Sequence, residues 1–169
     1  MLMTVLASED VLAQGYPAPQ EGVYVARDVR FHTGEVMPEL RINYTTLGNP
    51  SGQPVLVLHG TTGSAASMLT PAFAGELFGA GQALDATKYY IIIPDGIGHG
   101  KTSKPSDGMR AQFPKYNYED MVDAQYRLVK EGLGIGAASL AELVRVTGTL
   151  SSPSVGIDTL GSARAALSV

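Results

Sequence analysis

The chain has 169 residues, of which 44% are hydrophobic and 17% are charged, and its formal net charge is -4. This length and composition predict one globular domain with its own core. The negative charge argues against a nucleic acid partner, because no basic patch is available to neutralise phosphates. No apolar run reaches about 18 residues, so neither a membrane span nor a membrane partner is predicted. The absence of cysteine excludes disulfides, zinc-thiolate sites and a thiol nucleophile.

The N-terminal segment, residues 1–22, is interpreted as a lead-in to the domain. Its start, "MLMTVLASED", is apolar only briefly and then acidic, which makes a poor signal peptide and favours a cytoplasmic protein. The following "VLAQ" would suit a signal-peptidase cut after Ala13, so an exported protein is the alternative. The stretch "QGYPAPQEG" is predicted to be a loop because it is rich in Pro and Gly.

The next segments have the patterns of β-strands. Apolar and polar residues alternate in "VYVARDVRF" and "ELRINYTTLG", with "HTGEVMP" between them, which predicts a hairpin. Two further segments, "VLVLH" at 55–59 and "ATKYYIIIPD" at 86–95, have the composition of buried strands. Residues 64–84 have the right length for a crossover helix, which would make these two strands parallel in an α/β unit.

Residues 117–131 have the clearest helical pattern. Asn117 is a good N-cap, and Asp120 can reach back to it in a capping-box arrangement. Gly132 and Gly134 end the helix. The predicted apolar face consists of Tyr118, Met121, Val122, Leu128 and Val129.

The last part of the chain differs in composition from the rest. The eight tyrosines and four phenylalanines all occur by Tyr126, and residues 136–169 are rich in Ala, Ser and Gly. Within this segment "ELVRV" is predicted to be a strand, and no clear period follows it. Residues 136–169 are therefore interpreted as an atypical tail.

The segment "IIIPDGIGHGKTS" ends like a nucleotide-binding P-loop, but two features argue against that function. A P-loop needs glycine where Asp95 stands, since its backbone must wrap phosphates closely. It must also open directly into a helix, whereas Pro105 disfavours helical angles in the residue before it. The alternative pattern, D-x-x-G-x-G-x-[ST]-S, matches at every specified position.

That pattern resembles the loop after the second buried strand of α/β-hydrolases. "VLVLHGTTGS" is similar to the strand-to-loop turn that forms the oxyanion hole in that fold. The patterns F-x-x-G-E-x-x-P-x-L…Y-x-T-x-G and G-x-G-x-A-L-D-x-x-K-Y-Y resemble the homoserine O-acetyltransferase-like branch. The resemblance covers roughly residues 20–135.

The resemblance implies a fold class and an activity. The expected fold is α/β, the N-terminal part of an α/β-hydrolase fold over residues 23–135, with a mostly parallel sheet, an N-terminal antiparallel hairpin and flanking helices. The expected chemistry is acyl transfer from acyl-CoA to a hydroxyl, or ester hydrolysis, through a serine nucleophile and without a cofactor. The implied partner is a small-molecule acyl ester or acyl-CoA.

The oxyanion turn supplies most of the implied site residues. By resemblance, the backbone N–H of Thr61 is the oxyanion donor, and Gly60, Thr62 and Gly63 bind substrate around it. The alternative is a plain strand-to-helix turn with Ser64 or Thr62 as a cap.

The nucleophile is the missing part. No G-x-S-x-G pattern occurs in the 169 residues. The degraded match "SPSVG" makes Ser154 a very weak candidate, since Ser152 stands where glycine should be and Pro153 lies beside it. A disordered serine-rich tail is the alternative there.

The histidines do not complete a triad. In this fold the acid and the base follow the nucleophile, whereas His32, His59 and His99 all precede it. By resemblance His59 is structural, and His99 is interpreted as a hydrogen-bonded loop residue. Asp95 is predicted to tie its loop down by accepting N–H bonds. A metal site is not predicted, because His59, His99 and Asp95 lack tight ligand spacing.

The chain is therefore expected to be a truncated or diverged member of this group, inactive as written. The alternatives are a non-enzymatic remnant or binding module, or a frame-shifted product. An uncovered sheet edge would favour self-association.

Overall fold

The N-terminal half begins with a long β-hairpin. The computed structural model describes residues 15–136 and the backbone of residues 142–149 and 152–159. Strands β1 (Gln20–Arg30) and β2 (Val36–Leu47) pair antiparallel. The predicted hairpin is confirmed, although β1 begins inside the segment that was predicted to be a loop.

Two more strands complete a four-stranded sheet in the order β1-β2-β4-β3. Strand β4 (Tyr89–Pro94) lies antiparallel to β2 and parallel to β3 (Gln53–Leu56). The α/β fold class and the parallel pair are confirmed, and within the described residues the sheet is mixed. The prediction that 55–59 is a buried strand is wrong in part, because Leu56 is 40% exposed and Leu58 is 53% exposed. Strand β3 is an edge strand in the described part of the chain, which accounts for this exposure.

The connection between β3 and β4 does not contain the single crossover helix that was expected. It consists of a 3-10 turn at Ala65–Leu69 and a short helix, α1 (Ala74–Leu77). Pro71 and the glycines that follow it disfavour a continuous helix. These short pieces still bury Ala74, Leu77 and Phe78 against the sheet.

The loop before β4 is organised by the buried carboxylate of Asp85. It accepts hydrogen bonds from the N–H and hydroxyl of Thr87, at 2.9 and 2.6 Å, and from the N–H of Gly81 at 2.8 Å. These bonds, the Thr87 hydroxyl first, outweigh the effect of burial and hold the pKa of Asp85 well below its ordinary value. The pattern G-x-A-L-D-x-x-K thus encodes a self-contained loop.

The helix predicted at residues 117–131 is present as α2 (Tyr118–Arg127), followed by a π-helical turn at Leu128–Gly132. The capping box is confirmed: the Asp120 N–H donates to Asn117, and the Asn117 N–H donates to Asp120. The predicted apolar face is wrong for Tyr118, which is 84% exposed, and for Val122, which is 63% exposed. Ala124 lies inside instead.

Successive residues of a strand point to opposite sides of the sheet. In this sheet a cluster of buried residues packs on each side. On one face Leu47, Ile91 and Ile93 pack against Phe78, and Tyr16 from the predicted lead-in loop joins this cluster. The second cluster packs hairpin residues against α2 and the loop after β4, and comprises Ala26, Val29, Phe31, Met37, Leu40, Ile42, Ile97, Phe113, Ala124 and Leu128.

A separate hairpin lies in the predicted tail. Strands β5 (Glu142–Thr149) and β6 (Ser152–Thr159) pair antiparallel, with Ser154 opposite Thr147. The strand predicted at "ELVRV" is confirmed. The signal-peptide question, including a cut after Ala13, concerns residues outside the described part. None of the helices in the described part is long and apolar enough to cross a membrane.

Candidate active site

A tight turn follows β3 at Gly60–Gly63. The Gly63 N–H donates to the Gly60 carbonyl at 2.8 Å, which makes Thr61 and Thr62 the central residues of a β-turn. Neither has a positive φ, so the turn is of type I. A Cβ on Gly63 would lie 2.9 Å from the Ser67 hydroxyl oxygen and 3.1 Å from the His59 Cβ, so a side chain there would require Ser67 or His59 to shift.

Two backbone donors of this turn are unused. Among the described residues, the N–H groups of Thr61 and Thr62 donate to no acceptor. The two differ in their surroundings, because Thr61 lines a cleft of about 470 Å³ and Thr62 does not. The predicted donor, the Thr61 N–H, thus belongs to a residue that lines the cleft.

His59 lies at the start of the turn, and both of its ring nitrogens are engaged. The Gly96 N–H donates to Nε2 at 2.9 Å, so Nε2 is unprotonated. The proton is then on Nδ1, which lies 2.8 Å from the Gly60 carbonyl oxygen and donates to it. A ring held in this way is structural, which agrees with the expectation for His59.

His99 contacts the turn from the glycine-rich loop. Its Nε2 is hydrogen-bonded to the Thr61 carbonyl oxygen, and its Nδ1 lies 3.0 Å from the Ile97 carbonyl oxygen. The neutral ring has one N–H and satisfies one carbonyl, whereas the imidazolium satisfies both. The ring centroids of His59 and His99 are 5.3 Å apart. His99 is thus a hydrogen-bonded loop residue, as interpreted from the sequence, and it joins its loop to the turn at Gly60–Gly63.

Asp95 holds the glycine-rich loop together, as predicted. Its carboxylate accepts hydrogen bonds from the Lys101 N–H at 2.8 Å and from the Ala65 N–H at 2.6 Å. The Asn43 side-chain amide adds a third bond at 3.1 Å. Asp95 is only 4% exposed, so this carboxylate is used for structure.

The geometry of this loop also excludes a P-loop, as the sequence indicated. The Thr102 hydroxyl donates to the Asp95 carbonyl and accepts from the Asn43 N–H, so it is not free to bind a metal-phosphate complex. Lys101 points outward and pairs with Glu21 at 2.6 Å. Within the described ranges, no group of three His, Asp or Glu side chains is arranged to hold a metal ion.

The far wall of the cleft comes from the start of α2. Tyr116, Asn117, Tyr118 and Met121 line it opposite Gly60, Thr61 and the two histidines. This wall was not predicted from the sequence, because Tyr118 was assigned to the buried face of α2. Only the docked helix shows that Tyr118 is 84% exposed.

Hydrogen bonds between Asp120 and His32 fix the position of that wall. The Asp120 carboxylate accepts from the His32 N–H at 2.8 Å and contacts the His32 Nδ1 at 2.7 Å. Burial alone would raise the pKa of Asp120, but hydrogen bonds from the Asn117 N–H and from His32 outweigh it and lower that pKa. The start of α2 is thereby tied to the turn between β1 and β2.

Three more residues named in the sequence predictions are Ser154, Ser64 and Gly60. Ser154 lies within β6, in the separate hairpin, and not at a strand-to-helix elbow. Ser64 precedes the 3-10 turn, and its N–H donates to the Ser67 hydroxyl oxygen at 3.0 Å. A Cβ on Gly60 would meet nothing within 4 Å, so sterics do not require glycine at that position.

The chain is similar in sequence to known acyltransferases. A homoserine O-acetyltransferase from Haloferax prahovense is 34% identical over 124 positions, which cover 63% of this chain and 30% of the relative. A serine O-succinyltransferase from Emericella nidulans is 32% identical over 141 positions, which cover 69% of this chain and 27% of the relative. No protein-family model matches the chain.

A solved structure, that of the acetyl esterase MekB, has the same fold. It superposes with a TM-score of 0.60 at 26% identity and covers 69% of this chain and 34% of its own. The N-terminal part of this chain is thus homologous to homoserine O-acetyltransferases and has the α/β-hydrolase fold. The chain spans about 30% of the length of the curated relatives it matches.

Proposed function

We propose that this chain supplies the oxyanion-stabilising part of an acyl-transferring enzyme of the α/β-hydrolase fold. The observation that carries the proposal is Thr61, which lines the cleft and whose N–H donates to no acceptor in the described part of the chain. Such a donor stabilises the negative charge that develops on an acyl carbonyl oxygen. One donor of this kind contributes about 2.7–4 kcal/mol to a transition state.

The reaction class follows from the homology to O-acyltransferases. A serine would attack the acyl carbonyl while a base takes its proton, and the oxyanion that forms would accept the Thr61 N–H. Its collapse would break the bond to the leaving group, which departs protonated as the CoA thiol or the alcohol of an ester. The acceptor hydroxyl would then attack the acyl-serine ester and release the serine. The acyl donor is acyl-CoA, with a simple ester as the alternative, and water replaces the acceptor in a hydrolase. A CoA thioester donor implies a cytoplasmic reaction, and an exported esterase is the alternative. No cofactor is required.

The nucleophile, the acid and the base are not supplied by these 169 residues. No G-x-S-x-G occurs, and all three histidines precede any nucleophile position. His59 and His99 are committed to backbone groups. We therefore expect the 169-residue chain alone to have no esterase or acyltransferase activity.

A binding module without catalysis is the second candidate. It is favoured by the β5–β6 hairpin, in which Ser154 pairs opposite Thr147 and not at an elbow. A fluorophosphonate labels activated serines only, so labelling of Ser154 or Ser64 would contradict this candidate. The exposed Leu56 and Leu58 at strand β3 would favour self-association of such a module, which sedimentation would detect at increasing concentration.

The test of the oxyanion role removes the Thr61 N–H, with a control for the loss of the side chain. Thr61 is the second residue of a type I turn, where proline fits, so Thr61→Pro deletes the donor and keeps the turn. Thr61→Ala is the matched control because it keeps the N–H. Acetate serves as the probe, since its carboxylate oxygen carries the charge that an oxyanion would.

The readout is the backbone amide NMR spectrum of the 169-residue chain during titration with acetate. In the wild-type protein and in Thr61→Ala, we expect the amide signal of residue 61 to shift on binding. Thr61→Pro should bind roughly fivefold or more weakly, judged from the remaining cleft signals. Equal binding by Thr61→Pro and Thr61→Ala would contradict the proposed donor.

A further inference from the structure

We infer that His99 is a positioning residue, which acts with His59 to orient the two peptide groups on either side of Thr61. This inference rests on the proposed oxyanion role of the Thr61 N–H. His59 would direct that N–H, and His99 would bind the Thr61 carbonyl oxygen, whose partial negative charge would otherwise oppose a developing oxyanion.

The Gly60–Thr61 peptide is held through its carbonyl. The Gly60 oxygen accepts from the Gly63 N–H and from the His59 Nδ1–H, each at 2.8 Å. A trans peptide is planar, and its C=O and N–H point in opposite directions. Two donors on the Gly60 oxygen therefore set the direction of the Thr61 N–H.

The Thr61–Thr62 peptide is held through its carbonyl by the His99 Nε2. This is the central peptide of the turn, and a flip of it interconverts type I and type II turns. A type II turn would need a positive φ at Thr62, which is unfavourable for a β-branched residue. The hydrogen bond from His99 and the preference of Thr62 for a negative φ thus favour the same orientation of the Thr61–Thr62 peptide.

His99 itself is held firmly enough for this role. Its N–H donates to the Gly96 carbonyl at 3.0 Å, and its own carbonyl accepts from the Thr102 N–H at 3.1 Å. The second ring nitrogen contacts the Ile97 carbonyl. The loop is in turn tied by Asp95 to Ala65, just beyond the oxyanion turn. The hydrogen bond to Thr61 is therefore a contact between two anchored segments.

Three substitutions separate this role from general support of the loop. His99→Gln places an amide N–H near the position of Nε2 and can still donate to Thr61. His99→Asn places it near Nδ1, so it retains the contact with Ile97 and cannot reach Thr61. His99→Phe keeps a ring and removes both ring nitrogens.

The first measurement is the one-bond N–H residual dipolar coupling of residues 61 and 62 in the 169-residue chain without ligand. We expect His99→Gln to resemble the wild-type protein, and His99→Asn and His99→Phe to change the coupling of residue 62, because that N–H belongs to the peptide that His99 holds. The coupling of residue 61, whose peptide is held by His59 and Gly63, should change less, and couplings of β1, β2 and β4 serve as the control for an intact fold. An unchanged coupling at residue 62 in both His99→Asn and His99→Phe would overturn the inference, and if His99→Phe does not fold, His99→Asn against His99→Gln decides.

The second measurement is the acetate titration of the same variants. We expect His99→Asn to bind roughly fivefold more weakly than the wild-type protein, and His99→Gln to stay within about twofold of it. Equal binding by His99→Asn and His99→Gln would contradict the inference. If the wild-type protein shows no response at Thr61 while the couplings change as expected, the proposed oxyanion role fails and the positioning of the turn by His99 stands.

Discussion

The carboxylate of Asp95 accepts a hydrogen bond from the Ala65 N–H at 2.6 Å, and this contact joins the loop after β4 to the turn after β3. The same carboxylate accepts a hydrogen bond from the backbone N–H of Lys101 within its own loop. Because Ala65 begins the 3-10 turn that follows the oxyanion turn, Asp95 sets the spacing between the two segments that carry His99 and Thr61. A carboxylate at the end of a parallel strand therefore supports the cleft without lining it.

Asp95→Asn is expected to destabilise the protein by roughly 2–4 kcal/mol, since an amide cannot accept all three N–H bonds in a site that is 4% exposed. Urea unfolding followed by circular dichroism measures the change. The matched control is Asp28→Asn, because Asp28 is exposed and has a φ of 49°, which asparagine tolerates. That control should stay within about 0.5 kcal/mol of the wild-type protein. Equal stability of the two variants would refute the role of Asp95.

Gly100→Ala tests the close approach of the loop to the same carboxylate. Gly100 has a φ of 50°, and a Cβ there would lie 2.2 Å from an oxygen of Asp95. Gly34→Ala is the control, since Gly34 also has a positive φ, 88°, but has nothing within 4 Å. The control should cost about 1–2 kcal/mol from backbone strain alone. Gly100→Ala should cost about 1–3 kcal/mol more from overpacking, and similar unfolding free energies would show that the contact is unimportant.

The pH dependence of stability should contain a contribution from Asp120. Its pKa is lower in the folded protein than the ordinary 3.8, so its stabilising effect is complete above that value and is lost as the pH falls through the folded pKa. We expect Asp120→Asn to be about 1–3 kcal/mol less stable at neutral pH, with the difference shrinking below pH 3.8.

The measurement is the free energy of unfolding at a series of pH values. Asp123→Asn, on an exposed position of the same helix, controls for the general effect of removing a negative charge. A difference between the wild-type protein and Asp120→Asn that stays constant down to acid pH would argue against the hydrogen bonds from Asn117 and His32 that favour the ionised carboxylate.

The tautomer of His59 is a prediction that needs no substitution. The Gly96 N–H requires a free lone pair on Nε2, so neutral His59 should carry its proton on Nδ1. Long-range proton–nitrogen NMR correlations distinguish the two tautomers directly. A proton on Nε2 would break the bond to Gly96 and leave the Gly60 carbonyl with a single donor, which would contradict the positioning of the Thr61 N–H.

Local patterns predicted the elements well where the deciding contacts are close in sequence. The hairpin of β1 and β2 and the capping box of Asn117 and Asp120 involve neighbouring residues, so alternation and cap chemistry were sufficient. The face of α2 was predicted less well. Helical period groups residues on a face, but it does not say which of two overlapping faces will dock, and Tyr118 proved to be exposed.

By itself, the sequence determined the fold class, the turn that follows β3 and the anchoring role of Asp95, because each depends on a short pattern of glycine, strand and acceptor residues. Tertiary structure alone decided that His99 binds Thr61, 38 residues away, and that Asp120 binds His32, 88 residues away. It also decided that α2 forms the second wall of the cleft. Contacts of this kind depend on how distant segments dock, and docking is set by the packing of both faces of the sheet and not by any local pattern.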